Sequence, residues 1–334
     1  MSSVFRHVPK YTAFLAVFVL VNTLIGWLAW NLMLSWAGES RLDRALRESI
    51  QETHIIVMGD SHPLCAVDDR FLPGALNLSK VGHNYDIVYG KLEETLARYP
   101  GQIDLVVLPL DYHGFTLDRA LFRTDEIHVA RYENTPYLAY RIGFNRLLLR
   151  RTLRLWLFPH FGILSREYSE IDHRILFERL VALRPDGLKD VPDMHQRLNN
   201  GIKLHFGSRI WWEPVFADYL GWTLDMCARH NIRAVLVRYP LSDAYRAAVS
   251  DWLPVDAWEQ RVNQVLSQHR VAAVLDYRLF FQGRDECFVD AAGHVHNSYA
   301  PEFTRQLLRD LRECGLVEVS AGKGPEPVGE ETGR

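Results

Sequence analysis

Cysteine is scarce in this chain. The four that occur, Cys65, Cys227, Cys287 and Cys314, are too widely spaced for any ordinary zinc pattern. An excess of either charge is equally lacking: 38 basic against 41 acidic residues leave a net charge of −3. Without a basic excess there is no electrostatic case for nucleic acid as a partner. No internal repeat recurs, which argues against solenoids and propellers. One long stretch has no charge at all, since from Tyr11 to Gly38 there is no Asp, Glu, Lys or Arg.

A bilayer needs roughly 20 consecutive apolar residues, so residues 11–36 read as a single transmembrane helix. Arg6 and Lys10 precede the run, and Trp27, Trp30 and Trp36 lie toward its far end. That places residues 1–10 in the cytoplasm and an aromatic belt on the outer side. The alternative is a cleaved signal peptide, because Ser35-Trp36-Ala37 has a small-x-small pattern. Signal h-regions, however, run about 7–15 residues. In either case the remainder is exported, and in the first it is tethered to the inner (cytoplasmic) membrane with its domain on the periplasmic side. An exported location permits disulfides.

Residues 37–52 are charged and read as a spacer. From there the pattern alternates. Strand candidates are His54–Met58, Ala75–Leu78, Asp104–Leu110, Ile232–Arg238 and Val271–Tyr277. Most are continuous Val/Ile/Leu runs, as parallel strands covered on both faces require. Helical stretches at Asp86–Tyr99, Pro214–His230, Ala244–Trp252, Ala257–His269 and Ala300–Cys314 lie among them. Such alternation implies an α/β fold with a doubly wound, mostly parallel, flavodoxin-like three-layer sheet over residues 53–314. Residues 115–210 carry no convincing strand and read as a helical insertion. Within it Arg146, Arg150 and Arg154 make a cationic stripe beside bulky apolar residues. The tail, 315–334, is too polar and broken to pack.

Reacting groups of doubly wound sheets gather at the carboxyl ends of the strands. Gly59-Asp60-Ser61-His62 follows the first strand, and Asp290-Ala-Ala-Gly-His294-Val-His296 precedes the last helix. A serine on a tight strand-to-helix turn is clear of its strand, and an imidazole oriented by a carboxylate can activate it.

These blocks resemble the SGNH (GDSL-like) hydrolase superfamily. The Gly-Asp-Ser-His spelling with an anchor is most similar to its branch acting on bacterial surface glycans, which includes polysaccharide O-acetyltransferase accessory proteins and the teichoic acid D-alanyl transfer protein. The resemblance implies Ser61 as nucleophile, His294 as base and Asp290 as its orienter. Family members have two residues between Asp and His where this chain has three, which leaves His296 as an alternative base. It also implies oxyanion donors at the Ser61 and Gly82 N–H groups. The family's Gly-x-Asn block becomes Pro109-Leu110-Asp111 here. An ionised Asp can only accept, so either Asp111 binds a substrate hydroxyl or Asn84 or His113 donates instead. Asp60 is expected to bond the loop backbone, and His62 to touch substrate or cap the turn. The same fold would bring Cys65 and Cys287 close enough to bridge. Arg238-Tyr239-Pro240, Trp211 and Trp212 are candidates for shaping the pocket.

The implied activity is a membrane-anchored serine acyltransferase or esterase acting on acyl, chiefly acetyl, esters of a cell-surface polysaccharide, with no cofactor and no metal. A multispanning membrane O-acyltransferase is the implied partner. Two other classes stay open: a non-catalytic glycan- or partner-binding scaffold on the same fold, and a metallophosphoesterase, whose sites also open with Gly-Asp-x-His.

Overall fold

The computed structural model describes residues 46–118 and 194–318, residue 291 excepted, together with scattered residues between 12 and 24. Most of the predicted anchor, the Arg146/Arg150/Arg154 stripe and the tail beyond 318 lie outside the described residues. Among the described residues no helix is long and apolar enough to cross a membrane.

Five short apolar runs become strands: β1 Ile55–Val57, β2 Ala75–Asn77, β3 Leu105–Pro109, β4 Arg233–Arg238 and β5 Ala273–Asp276. They form one sheet in the order β2-β1-β3-β4-β5, and every pairing is parallel. This is the flavodoxin-like strand order. The register is set by the alternation of side chains. Ile56, Val106, Ala234 and Leu236 point into one core, while Ile55, Val57, Leu105, Val107, Val235 and Val237 point into the other. A one-residue slip would exchange the two sets, so burial on both faces fixes the pairing.

Seven helices carry the matching apolar stripes. They are α1 Ser61–Ala66, α2 Tyr85–Arg98, α3 Met194–Phe206, α4 Pro214–Arg229, α5 Asp243–Val249, α6 Val255–Leu266 and α7 Ala300–Glu313. On one face Val88 and Leu92 of α2, Phe216 and Leu220 of α4 and Trp258 of α6 close the core. On the other, Ala66 of α1 and Phe303, Leu307 and Leu311 of α7 do so. The last part of the spacer joins the fold: Leu46 is buried in the first core.

The two ends of the predicted insertion leave and return side by side. Leu117 N–H donates to Ile210 O (3.0 Å) and Glu213 N–H to Phe115 O (2.6 Å). The described part includes α3; residues 119–193 are not described.

The tail reading needs correction at its start. Gly315, at φ 67°, ends α7. Its N–H donates to Arg312 O, and Leu316 N–H reaches back to Leu311 O (2.8 Å). These two bonds define a Schellman motif, and Leu316 is buried beside Leu311 in the second core. Leu316→Ala is therefore expected to destabilise the domain by about 2–3 kcal/mol. Urea unfolding would measure this, and an unchanged midpoint would show that the residue is dispensable.

Candidate active site

The turn after β1 is built on a close approach. Gly59 has φ 147°, and a Cβ there would meet Pro109 Cγ at 2.7 Å and Pro63 Cγ at 2.8 Å. Only glycine fits this backbone and this space. Asp60 follows as the N-cap of α1, its Oδ1 accepting the His62 N–H at 3.0 Å. This matches the expectation that Asp60 bonds the loop, although its other oxygen has a second use. Ser61 is thus held as the first residue of α1, and Asn77 ties the same helix down by donating to Pro63 O and Val67 O.

Across the sheet edge, the segment before α7 forms a small antiparallel loop. Phe288 bridges Val295, and Val289 N–H donates to His294 O at 2.9 Å. Gly293 has φ 92°, and its N–H donates to Asp290 O at 3.3 Å. This returns the two side chains to contact: Asp290 Oδ2 lies 2.6 Å from His294 Nδ1, and Oδ1 accepts the N–H groups of Ala292 and His294. His294 Nε2 lies 2.7 Å from Ser61 Oγ. A carboxylate accepts, so Nδ1 carries the imidazole hydrogen and Nε2 is left to receive the serine proton. The half-buried Asp290 is raised by desolvation. The charge and hydrogen bonds of His294 outweigh this and hold the carboxyl below its ordinary value.

His296 is oriented differently. Its Nδ1 accepts the Ser298 N–H at 3.1 Å, its ring packs edgewise on Tyr299, and it is buried where the chain enters α7. It therefore makes the turn into that helix.

The proposed oxyanion residues lie in the loop before α2. Lys80 N–H donates to Gly59 O at 3.0 Å, which brings this loop alongside the serine turn, and Gly82 sits within it at φ 80°. Asn84 occupies the N-cap position of α2 yet makes no side-chain capping bond. Asparagine at that position usually caps. Here its Nδ2 is buried without a hydrogen-bond partner, and the residue lines a small cavity with Gly59, Asp60 and His83. Ser61 and His294 are not among the cavity's lining residues.

Asp111 lines the same cavity, but both of its oxygens are engaged. Its Oδ2 accepts from His62 Nδ1 at 3.1 Å and its Oδ1 from Tyr239 N–H at 3.2 Å. His113 Nε2 lies 2.6 Å from Asp60 Oδ2. Of the alternatives for the missing donor, His113 commits Nε2 to Asp60, whereas Asn84 Nδ2 makes no hydrogen bond. His62, Asp111 and His113 also bring donor atoms within 4.8 Å of one another, a set that could hold a metal ion. Burial, and then the negative charges of Asp111 and Asp60, raise the phenols of Tyr85 and Tyr239 well above their ordinary values. Tyr85 stays protonated and donates to Pro109 O at 2.7 Å.

Several other expectations change. Cys65 and Cys287 are free thiols, not a bridge. Cys65 packs in a small cluster with Val289 and Leu64, whereas Cys287 lies in the second core. Burial, then the charges of Asp290 and Asp60, push the Cys65 thiol well above its ordinary value, so it supplies no competing thiolate. Trp212 stacks on Phe115 at 4.6 Å and both tryptophans pack against the first core. Arg238 pairs with Glu259 at 2.5 Å and with Asp276 at 3.3 Å. None of these residues lines the small cavity beside Asn84.

One residue near the site was not anticipated. His205, on α3, stacks on His113 with ring centres 4.3 Å apart and bonds Tyr245 Oη through Nδ1 at 2.6 Å. Nothing in the local pattern marks it; only the packing of α3 brings it there.

No protein-family model matches the chain, and no curated protein matches it. Among solved structures it is similar to "The structure of a putative platelet activating factor from Streptococcus pneumonia", at 14% identity and a TM-score of 0.33, over 86% of this chain and 97% of that one. So slight a likeness carries no argument about fold or chemistry.

Gly59→Ala is expected to destabilise the domain by about 1–3 kcal/mol through overpacking, and to lower any serine reactivity along with it. A thermal melt together with the labelling rate of Ser61 would check both; a wild-type value of each would show that the turn relaxes freely.

Proposed function

We propose that this chain is a serine acyltransferase or esterase of the SGNH (GDSL-like) type, exported and tethered to the inner membrane. It would move an acyl group, acetyl in the simplest case, to or from a cell-surface polysaccharide. The observation that carries the reading is the unbroken line Asp290 Oδ2–His294 Nδ1, His294 Nε2–Ser61 Oγ, at 2.6 and 2.7 Å.

In this mechanism Ser61 Oγ attacks the acyl carbonyl while His294 Nε2 takes its proton. Asp290 holds the ring and stabilises the imidazolium. The developing oxyanion is met by the Ser61 and Gly82 N–H groups and by Asn84 Nδ2. His294 then returns the proton to the departing oxygen, leaving an acyl-serine. A sugar hydroxyl, giving transfer, or water, giving hydrolysis, completes the cycle with His294 again as base. Tethering favours transfer, because it keeps the acyl-enzyme beside a membrane-embedded acyl supplier. The described residues between 12 and 24 support the tether: they are helical, and Phe14, Val17, Leu20 and Leu24 are exposed apolar side chains.

A second reading has one observation in its favour. The His62, Asp111 and His113 donor set is of the kind that binds divalent ions in metallophosphoesterases. A fluorophosphonate probe separates the two. Labelling that disappears in Ser61→Ala supports the acyl-serine reading, while a chelator-sensitive phosphatase with no labelling would replace it.

Ser61→Ala and His294→Ala are each expected to lower hydrolysis of a small acetyl ester by at least about 10³-fold while leaving the melting temperature close to that of the parent. Full activity in Ser61→Ala would end the proposal. Asn84→Ala is expected to lower kcat by about 10²–10³-fold, the usual effect of deleting one oxyanion donor. An effect confined to KM would assign Asn84 to substrate binding instead.

A further inference from the structure

We propose that two crossed histidine–carboxylate pairs, His62–Asp111 and His113–Asp60, are positioning residues that hold the Ser61 hydroxyl and the His294 ring in reacting register. This rests on the acyl-serine reading above. One member of each pair adjoins the serine in sequence. Ser61 is strung between Asp60, whose Oδ2 is bonded to His113 in the turn after β3, and His62, whose Nδ1 is bonded to Asp111 at the end of β3. Neither neighbour of the serine can rotate without breaking a buried bond.

Asp111 extends the clamp to a third element, because its second oxygen accepts the Tyr239 N–H after β4. The His62 ring also stands edge-on to the His294 ring, with centres 5.1 Å apart and an interplanar angle of 86°. It therefore limits the base from a side that Asp290 does not cover. Behind it, His113 packs edgewise on His62 at 4.6 Å.

Asp60, His62, Asp111 and His113 are each at most 5% exposed. Both carboxylates already accept from an imidazole and from a backbone N–H, so their influence passes through Ser61 and His294. Displacing reacting groups by about 1 Å can cost on the order of 10²-fold in rate. The histidines donate from different ring nitrogens, which gives each an amide that imitates it. Asn places a donor near the position of Nδ1, and Gln places one near Nε2.

The test is steady-state hydrolysis of 4-nitrophenyl acetate by the full chain and four variants, each checked by thermal melt. His62→Phe and His113→Phe are expected to lower kcat by about 10²-fold with KM within about 3-fold of the parent. His62→Asn and His113→Gln are expected to recover most of that loss. Should a phenylalanine variant fail to fold, Asp111→Ala must show the same loss of kcat. A parental kcat in His62→Phe, a loss that falls on KM, or amide variants as slow as the phenylalanine ones would each overturn the proposal. So would stoichiometric zinc whose removal lowers the melting temperature, because coordination would then hold these groups. The acyl-serine reading fails by a separate sign, an unlabelled Ser61 in the unmodified chain, and the positioning role would fall with it.

Discussion

Between the last residue of β1 and the first of α1 the chain must turn against Pro109, with room for no atom beyond the backbone of Gly59. The constraint is steric, and much of the site follows from it. Because the turn is so tight, Asp60 is placed to cap α1 and Ser61 emerges at the carboxyl edge of the sheet. Lys80 N–H bonds Gly59 O, so the same turn also positions the loop that carries Gly82 and Asn84. A parallel sheet buried on both faces supplies the rigidity. Its register cannot slip without moving apolar side chains into the opposite core.

The polar groups crowded behind that turn stay buried because they satisfy one another. Two carboxylates, Asp60 and Asp111, would each be costly in a low-dielectric interior if left alone. Each instead accepts from an imidazole and from a backbone N–H. Asp290 differs: it is half-buried, and the adjoining histidine draws its carboxyl below the ordinary value. Among the described residues, three histidine–carboxylate pairs thus gather near one hydroxyl. Only that of Asp290 and His294 places a ring nitrogen against the serine.

A departure from local rules marks the residue proposed to complete the oxyanion site. Asn84 stands where an asparagine would ordinarily cap a helix, yet α2 begins without that bond. An N-cap contributes about 1 kcal/mol, so a side chain withheld from that use and left buried with an unbonded amide is suited to a ligand oxygen. The same logic separates His294 from His296. They are two residues apart in sequence, but the second is committed to the turn that starts α7.

By itself the sequence determined the layer pattern and the blocks of chemistry. Continuous apolar runs are what parallel strands covered on both sides require, and the glycine-led serine block directly follows one of them. It also indicated that Asp111 could not donate, since an ionised carboxylate has no hydrogen to offer. Tertiary structure alone decided which histidine meets the serine, because a three-residue spacing in place of two is resolved by the turn at Gly293 and not by any property of the letters. It also decided that Cys65 and Cys287 remain free thiols, that the tryptophans pack against the core, that Leu316 belongs to the fold and that His205 comes to lie on His113. Each of these depends on contacts between residues far apart in the chain. Local propensity and periodicity report only on neighbours, so such contacts exist for the reader only once the sheet has been closed.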